Sequence, residues 1–232
     1  MITISNLEKK YGGRKVVDIA DLRIPDGEIL GLVGNNGAGK TTLLRLMLDL
    51  IKSEQGTIEN GSVIIGKSEN WKSFTSSYLD EGFLFDFLTP EEFFYLIGNM
   101  YGLTGNAVDA KLQDFSPFFN DEILGKGRKL IRDFSKGNKQ KIGLTSALIV
   151  DPTVLVLDEP FDGLDPTSQL WLKKKLTGYR KTTRATIVLS SHDLGHVTAI
   201  ADRIVLIERG RITREMVNNE TALKELEEYF SL

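Results

Sequence analysis

The sequence predicts an α/β fold: a parallel sheet core, an N-terminal antiparallel β-subdomain and a helical insert. Two observations indicate the core. Short apolar runs recur along the chain, as expected of buried strands, and segments with helical patterns separate them. A third observation indicates the insert, since nine of the 12 phenylalanines fall between residues 74 and 119. Strands that alternate with helices favour a parallel sheet that is covered on both faces.

The first elements are predicted from apolar alternation and from turn residues. Two alternating segments, "MITISNLEKKY" and "RKVVDIADLRI", predict a pair of antiparallel strands. A continuous apolar run, "GEILGLVG", predicts a buried parallel strand, and "KTTLLRLMLDLI" predicts the helix after it. A hairpin is expected in "GTIENGSVIIG", around Asn-Gly, and a short strand in "SSYLDEGF".

The helical insert and the later elements follow in order. Thr89 is expected to cap a helix that has Pro90 at its first position and two glutamates in its first turn. We place the insert at about 86–135, and the core with its β-subdomain at about 1–85 and 136–232. The remaining predictions are helices at about 139–150 and 167–180, strands "TVLVLDEP" and "ATIVLSS", a helix from Asp193, strands "DRIVLIERG" and "RITREM", and a last helix "ETALKELEEYF".

The composition excludes several classes of protein. The 232 residues are 41% hydrophobic and 26% charged, which suffices for an ordinary core. The net charge of −3 argues against a nucleic-acid partner, and the absence of cysteine excludes disulfides. There is no apolar signal region, and no apolar run approaches the roughly 18 residues of a membrane span. We expect a cytoplasmic protein, with any membrane part supplied by a partner.

The segment "GNNGAGKT" predicts a phosphate-binding loop. It fits the pattern G-x-x-x-x-G-K-[ST] between a buried strand and a helix. The glycines allow backbone amides to wrap a phosphate, Lys40 reaches the terminal phosphates, and the Thr41 hydroxyl suits Mg²⁺. The expected nucleotide-binding residues are Gly34, Asn35, Asn36, Gly37, Ala38, Gly39, Lys40, Thr41 and Thr42.

Two further strand ends carry candidate catalytic residues. In "TVLVLDEP", Asp158 would hold Mg²⁺ and Glu159 would polarise the attacking water as general base. His192, in "VLSSHD", emerges at the same edge of the sheet, where we expect the γ-phosphate. Structural roles are the alternative, since adjacent acids often cap helices and a lone histidine often serves only as a hydrogen-bonding group. We assign such a structural role to His196.

The segment "FSKGNKQK" lacks a strand before it but still indicates an anion site. Turn residues precede an apolar run, so a helix is expected to begin near Ser135. A helix N-terminus with a nearby glycine suits an anion. These residues alone leave open which anion binds there.

The motifs, in this order and spacing, resemble those of the nucleotide-binding subunits of ATP-binding cassette (ABC) transporters, over essentially the whole chain. The resemblance implies one P-loop NTPase (RecA-like) domain over 1–232 that binds ATP and Mg²⁺ and hydrolyses ATP. It also implies a head-to-tail dimer, in which "FSKGN" replaces the usual LSGGQ signature. Ser135, Gly137 and Asn138 would then complete the nucleotide site of the other subunit, and both an identical and a different chain fit this role.

Other family positions are carried over from the same resemblance. Tyr11 matches the aromatic residue that stacks on adenine, with a surface or core aromatic as the alternative. Asp165 closes "DGLD", which matches the loop that crosses the dimer, with a plain turn as the alternative. Glu81 stands where the family usually has a Gln that touches Mg²⁺ and senses the membrane subunit, and its extra charge predicts modest turnover.

The resemblance also bears on partners and cargo. Lys136 and Asn138 replace a Gly and a Gln of the signature, as in subunits of ABC-2-type exporters, which suggests an exporter of peptide or drug-like cargo. We expect the phenylalanines to form a small core and, beside Glu81, a groove that docks an integral membrane subunit at the inner face of the membrane. The alternatives are a non-transport ABC ATPase and a regulatory module that binds ATP.

Overall fold

The computed structural model describes residues 1–231 and contains two sheets and eight α-helices within that range. The strands are β1 (Ile2–Tyr11), β2 (Arg14–Ile24), β3 (Ile29–Val33), β4 (Gln55–Asn60), β5 (Val63–Ile64), β6 (Thr75–Tyr78), β7 (Val154–Leu157), β8 (Thr186–Ser191), β9 (Arg203–Glu208) and β10 (Arg211–Val217). The helices are α1 (Lys40–Met47), α2 (Pro90–Met100), α3 (Gly105–Gln113), α4 (Ser116–Phe119), α5 (Lys136–Leu148), α6 (Pro166–Thr183), α7 (Leu194–Thr198) and α8 (Ala222–Phe230).

The smaller sheet is antiparallel and has the strand order β2-β1-β4-β5. The predicted pairing of the first two strands is confirmed, and Tyr11 lies opposite Arg14 across a two-residue turn. Gly12 and Gly13 form this turn with φ of 55° and 82°, values that a hairpin turn requires and that glycine adopts without strain. The turn therefore holds the end of this hairpin in a defined position.

The larger sheet is the core of the molecule and has the strand order β10-β9-β3-β8-β7-β6. All its neighbouring strands are parallel except the edge pair β10 and β9. β3, β8 and β7 are buried along their whole length and lie side by side, so their carboxyl ends meet at one edge. The predicted α/β class is confirmed, and the segments expected to carry chemistry follow these strands.

The insert contains helices α2, α3 and α4 and a core of phenylalanines. Thr89 forms the predicted cap of α2 as a capping box with Glu92. Phe94, Phe118 and Phe119 are buried, and the Phe118 ring stacks on Trp171 of α6 with ring centroids 4.6 Å apart. Stacked rings bury large apolar areas, so this cluster both fills the insert and attaches it to α6.

Two connectors join the insert to the rest of the chain, and they pair with each other. The Ile131 N–H donates to the Leu88 carbonyl at 2.8 Å, and the Arg132 N–H donates to the Asp86 carbonyl at 3.0 Å. The segment that enters the insert is thus bonded to the segment that leaves it.

Two helices differ from their predicted ranges. α1 ends at Met47 instead of continuing to residue 51, because Asp49 has a left-handed backbone with φ of 53°. α5 begins at Lys136, before the predicted range of about 139–150, and this confirms the start expected near Ser135, whose hydroxyl caps the helix by accepting the Asn138 N–H at 3.2 Å.

Candidate functional site

The phosphate loop connects β3 to α1, and two of its glycines pack closely against the backbone of neighbouring segments. A Cβ at Gly39 would lie 2.5 Å from the Val16 carbonyl oxygen, and one at Gly34 would lie 2.2 Å from that of Ile207. Gly39 precedes α1 and gives its first turn no side-chain cap. The N–H groups of that turn therefore remain available to an anion.

The nine predicted loop residues divide into an exposed tip and a buried base. Asn35, Asn36 and Gly37 are exposed, Gly34, Ala38, Gly39 and Lys40 are buried, and Thr41 and Thr42 are partly buried. Lys40 is 6% exposed and donates to the Gly34 carbonyl at 2.6 Å. This hydrogen bond folds the Lys40 side chain back over the loop, so that its ammonium lies where we expect a bound phosphate.

Thr41 and Asp158 are in direct contact. The Thr41 hydroxyl donates to Asp158 Oδ2 at 2.5 Å, and the carboxylate is almost fully buried. The Ser190 hydroxyl donates to the other carboxylate oxygen, Oδ1. Hydroxyl and carboxylate oxygens are the donors that Mg²⁺ prefers, so these two residues fit that ion.

Glu81, the third predicted metal ligand, makes an ion pair with α5. It begins a 3₁₀ turn (Glu81–Phe83) that Asp80 caps, and its carboxylate lies 3.6 Å from the Lys139 ammonium of α5. Among residues 1–231 no group of three or more His, Cys, Asp or Glu is arranged to hold a metal. The structure thus pairs this carboxylate with a cation, and its role as a Mg²⁺ ligand stays a prediction.

The three predicted catalytic side chains come together at the carboxyl edge of the sheet. One Glu159 carboxylate oxygen lies 3.7 Å from the Lys40 ammonium. The other lies 3.0 Å from His192 Nδ1 and accepts the His192 backbone N–H at 3.2 Å. Three different loops thus place a cation, a carboxylate and an imidazole around one point.

The backbone of Glu159 is held in an uncommon conformation. Its φ is 45°, in the left-handed region that non-glycine residues seldom adopt. The Glu159 N–H donates to Ser190 Oγ at 3.0 Å, and Gln140 Nε2 donates to the Glu159 carbonyl at 3.2 Å. Strained backbone persists where its surroundings over-determine it, and such sites are often functional.

Ser190 and Gln140 are contributors that the sequence analysis missed. Ser190 Oγ bridges the Asp158 carboxylate and the Glu159 backbone, although it lies on a different strand. The available signal was the polar pair "SS" at the end of an otherwise apolar strand, directly before His192. His196 takes the predicted structural role, since it packs on Phe161 with ring centroids 4.7 Å apart and burial lowers its pKa.

The signature residues are positioned on α5. Ser135 caps the helix, and Asn138 Nδ2 donates to Glu122 at 3.0 Å. Gly137 packs beneath the loop after β7, since a Cβ there would lie 2.7 Å from the Gly163 carbonyl oxygen. In the described chain these residues make no side-chain hydrogen bond or ion pair with the phosphate loop.

Asp165 has a structural contact within its own chain. Its carboxylate caps α6 by accepting the Ser168 N–H at 2.9 Å and the Ser168 hydroxyl at 2.5 Å, and Lys141 lies 3.4 Å away. The Ser168 hydrogen bonds and the Lys141 charge lower the pKa of Asp165 to about 2. Its predicted place in the loop that crosses the dimer stays a prediction.

Tyr11 and the predicted docking groove lie on the surface. The Tyr11 ring is 50% exposed at the end of the hairpin, with the Lys9 ammonium 5.3 Å from its centroid.

An apolar cavity of about 640 Å³ lies beside the Glu81 turn, lined in part by Phe83, Phe93 and Met100. Within residues 1–231 no helix is long and apolar enough to cross a membrane.

Three exposed phenylalanines lie beside this cavity. Phe83, Phe85 and Phe87 are 46%, 45% and 63% exposed, and the last two stack with ring centroids 5.9 Å apart. Large exposed apolar patches are unusual on monomers, so this cluster is a candidate interaction surface.

Comparisons with known proteins identify the family of this chain. A family model described as "ABC transporter" matches residues 17–162. The chain is 32% identical to the ABC transporter ATP-binding protein NatA of Bacillus subtilis, over 91% of this chain and 87% of NatA. It is 33% identical to the bacitracin transport ATP-binding protein BcrA of Bacillus licheniformis, over 93% of this chain and 69% of BcrA.

Solved structures share the fold. A structure described as the ATP binding subunit of an ABC transporter superposes with a TM-score of 0.81 at 25% identity, covering 100% of this chain and 94% of the other. A dimeric, post-hydrolysis ATP-binding cassette bound to ADP and Pi superposes with a TM-score of 0.79 at 19% identity, covering 94% of this chain and 99% of the other.

Proposed function

This chain belongs to the ABC transporter family, as an ATP-binding subunit, and we propose that it hydrolyses ATP to drive an exporter. One observation carries the proposal: Lys40, Glu159 and His192 converge beside the contact between Thr41 and Asp158. A phosphate loop, two oxygen donors for Mg²⁺ and a carboxylate beside an imidazole are the parts that phosphoryl transfer to water requires.

Each residue has a defined task in this proposal. The amides of the loop and Lys40 bind the phosphates, while Thr41 and Asp158 would hold Mg²⁺, which would neutralise charge on the phosphate oxygens. Glu159 orients the attacking water and accepts its proton, and His192 fixes the Glu159 carboxylate. Catalysis then consists of positioning and charge stabilisation, with no covalent intermediate.

The proposed working form is a head-to-tail dimer. The N-terminus of α5 is exposed, and its residues Ser135, Gly137 and Asn138 do not bond to the phosphate loop of their own chain. A second copy, or a related chain, would bring its γ-phosphate to this helix end. Tyr11, with its half-exposed ring, would stack on adenine, and Asp165 would lie near the dimer contact.

The proposed partner is an integral membrane subunit that docks at the inner face of the membrane. The cavity and the exposed Phe83, Phe85 and Phe87 offer an apolar surface to a short helix of that subunit. The ABC-2-like signature "FSKGN" and the relative named for bacitracin transport favour an exporter of peptide or drug-like cargo. Glu81 lies between this surface and α5, where it would register docking.

Phosphate release by the purified chain tests the ATPase. We expect MgATP-dependent release from the wild type and its loss in Glu159→Gln, because the base that orients water is removed. ATP binding should persist in this variant, since the phosphate loop is unchanged. A wild type that binds ATP without releasing phosphate would instead support the regulatory ATP-binding module.

A pull-down from native membranes tests the partner. Tagged Glu159→Gln with MgATP should trap the closed dimer and co-purify a multi-spanning membrane protein. Phe87→Ala should weaken that capture while ATPase activity is retained, and Leu170→Ala is the matched control, because Leu170 is similarly exposed on α6. Capture of only soluble or ribosomal partners would instead support a non-transport ATPase. Loss of soluble Phe87→Ala protein would mean that Phe87 belongs to the core.

A further inference from the structure

The first turn of α5 makes an ion pair with the loop that follows the catalytic glutamate. The Lys136 ammonium donates to Asp162 Oδ2 at 2.7 Å. The hydrogen bond from Lys136 holds the pKa of the Asp162 carboxyl below its ordinary value. The usual family signature has glycine at the Lys136 position, so the usual signature cannot form this pair.

Packing supports the same connection. The Lys136 stem lies over Gly163, where an added Cβ would meet its Cδ at 3.6 Å. Beneath it, the Gly163 carbonyl lies so close to Gly137 that an added Cβ would be 2.7 Å away. The loop and the helix end are therefore fitted against each other and are not joined by the charges alone.

The loop that contains Asp162 and Gly163 directly continues the turn that carries Glu159. The Asp162 N–H donates to the Glu159 carbonyl at 3.1 Å, and the same carbonyl accepts from Gln140. Lys136 and Gln140 are four residues apart and share one face of α5. This face thus holds both ends of the turn in which Glu159 has its left-handed backbone.

We propose that Lys136 is a positioning residue for Glu159. Through Asp162 it ties the catalytic turn of its own subunit to the helix end that meets the nucleotide of the other subunit. The inference rests on the proposed function, because it requires the second subunit. When the dimer closes, water leaves the exposed ion pair, and its attraction strengthens as the surrounding dielectric constant falls. Closure on one nucleotide thereby fixes the carboxylate that orients the attacking water at the other.

A double-mutant cycle tests the proposal. The kcat and KM for ATP are measured for Lys136→Met, for Asp162→Asn and for the double variant, with the methionine retaining most of the stem over Gly163. We expect each single variant to lower kcat about fivefold at unchanged KM, and the double variant to lower it no further. Lys174→Met, which changes an exposed lysine on α6, is the control and should leave kcat unchanged.

A second measurement separates positioning from phosphate binding. In the Glu159→Gln background, Lys136→Met should still form the MgATP-dependent dimer on gel filtration. Loss of that dimer would mean that the ammonium binds the partner's phosphate, and would overturn the proposal. The same conclusion would follow if Lys136→Met lowered kcat while Asp162→Asn left it unchanged. A wild type that releases no phosphate would instead overturn the proposed function.

Discussion

Ser190→Ala is the sharpest test of how the catalytic carboxylate is positioned. The Ser190 hydroxyl accepts the Glu159 N–H at 3.0 Å and donates to the Asp158 carboxylate, so its removal breaks both contacts. The side chain of Ser190 is fully buried, and water has little access to replace it. Both partners then lose a hydrogen bond inside the protein.

The size of the effect follows from these two contacts. Leaving a buried donor or acceptor unpaired costs about 1–3 kcal/mol. Part of that cost will appear as lower stability, and part as release of Glu159 from its φ of 45°. Since about 1.4 kcal/mol corresponds to tenfold in rate, we expect kcat to fall by about one to two orders of magnitude. KM for ATP should change little, because the phosphate loop is untouched.

The assay is phosphate release at saturating MgATP, with a matched control one residue away. Ser191→Ala also removes a buried hydroxyl, but this hydroxyl accepts the Asp193 N–H at 3.1 Å and does not bond to Asp158 or Glu159. We expect Ser191→Ala to retain most of the activity. Equal losses of kcat in the two variants, or an unchanged kcat in Ser190→Ala, would refute the bridging role.

Three further predictions address packing, charge and the metal. Gly143→Ala should lower the free energy of unfolding by about 1–3 kcal/mol, because its Cβ would lie 2.0 Å from the Tyr78 ring. In thermal melts, Gly178→Ala, which meets nothing within 4 Å in the middle of α6, should be neutral or stabilising. Because the folded pKa of Asp165 is about 2 against an ordinary 3.8, its stabilisation is present above about pH 4 and disappears as the pH falls through about 2. Acid titration of Asp165→Ala should therefore show a smaller loss over that window than the wild type, and parallel curves would contradict this assignment. Glu81→Gln should raise turnover and alter its Mg²⁺ dependence; if both stay unchanged, the placement of Glu81 near the metal is wrong.

Local rules were sufficient to predict the elements and the phosphate loop. The glycines of "GNNGAGKT" and the buried strand before them act over a few residues, and the same holds for the Thr89 cap of α2. The convergence of Glu159 and His192 was also predictable, because parallel strands end at the same edge of a sheet.

The remaining contacts depend on tertiary packing, which no local pattern reports. Ser190 can bridge these residues because β8 lies between β3 and β7, and the strand order is a tertiary feature. Glu81 was assigned by family position, yet the capped 3₁₀ turn directs it to Lys139. Lys136 was recognised only as a replacement in the signature, and its partner Asp162 lies 26 residues further along the chain.

The paired connectors of the insert have a mechanical consequence. Phe87 lies between Asp86 and Leu88, whose carbonyls bind Arg132 and Ile131. We therefore expect a displacement of Phe87 to strain both hydrogen bonds and to shift the leaving segment. That segment runs directly into the first turn of α5. We expect the paired connectors to transmit a displacement of the exposed phenylalanines to the N-terminus of α5.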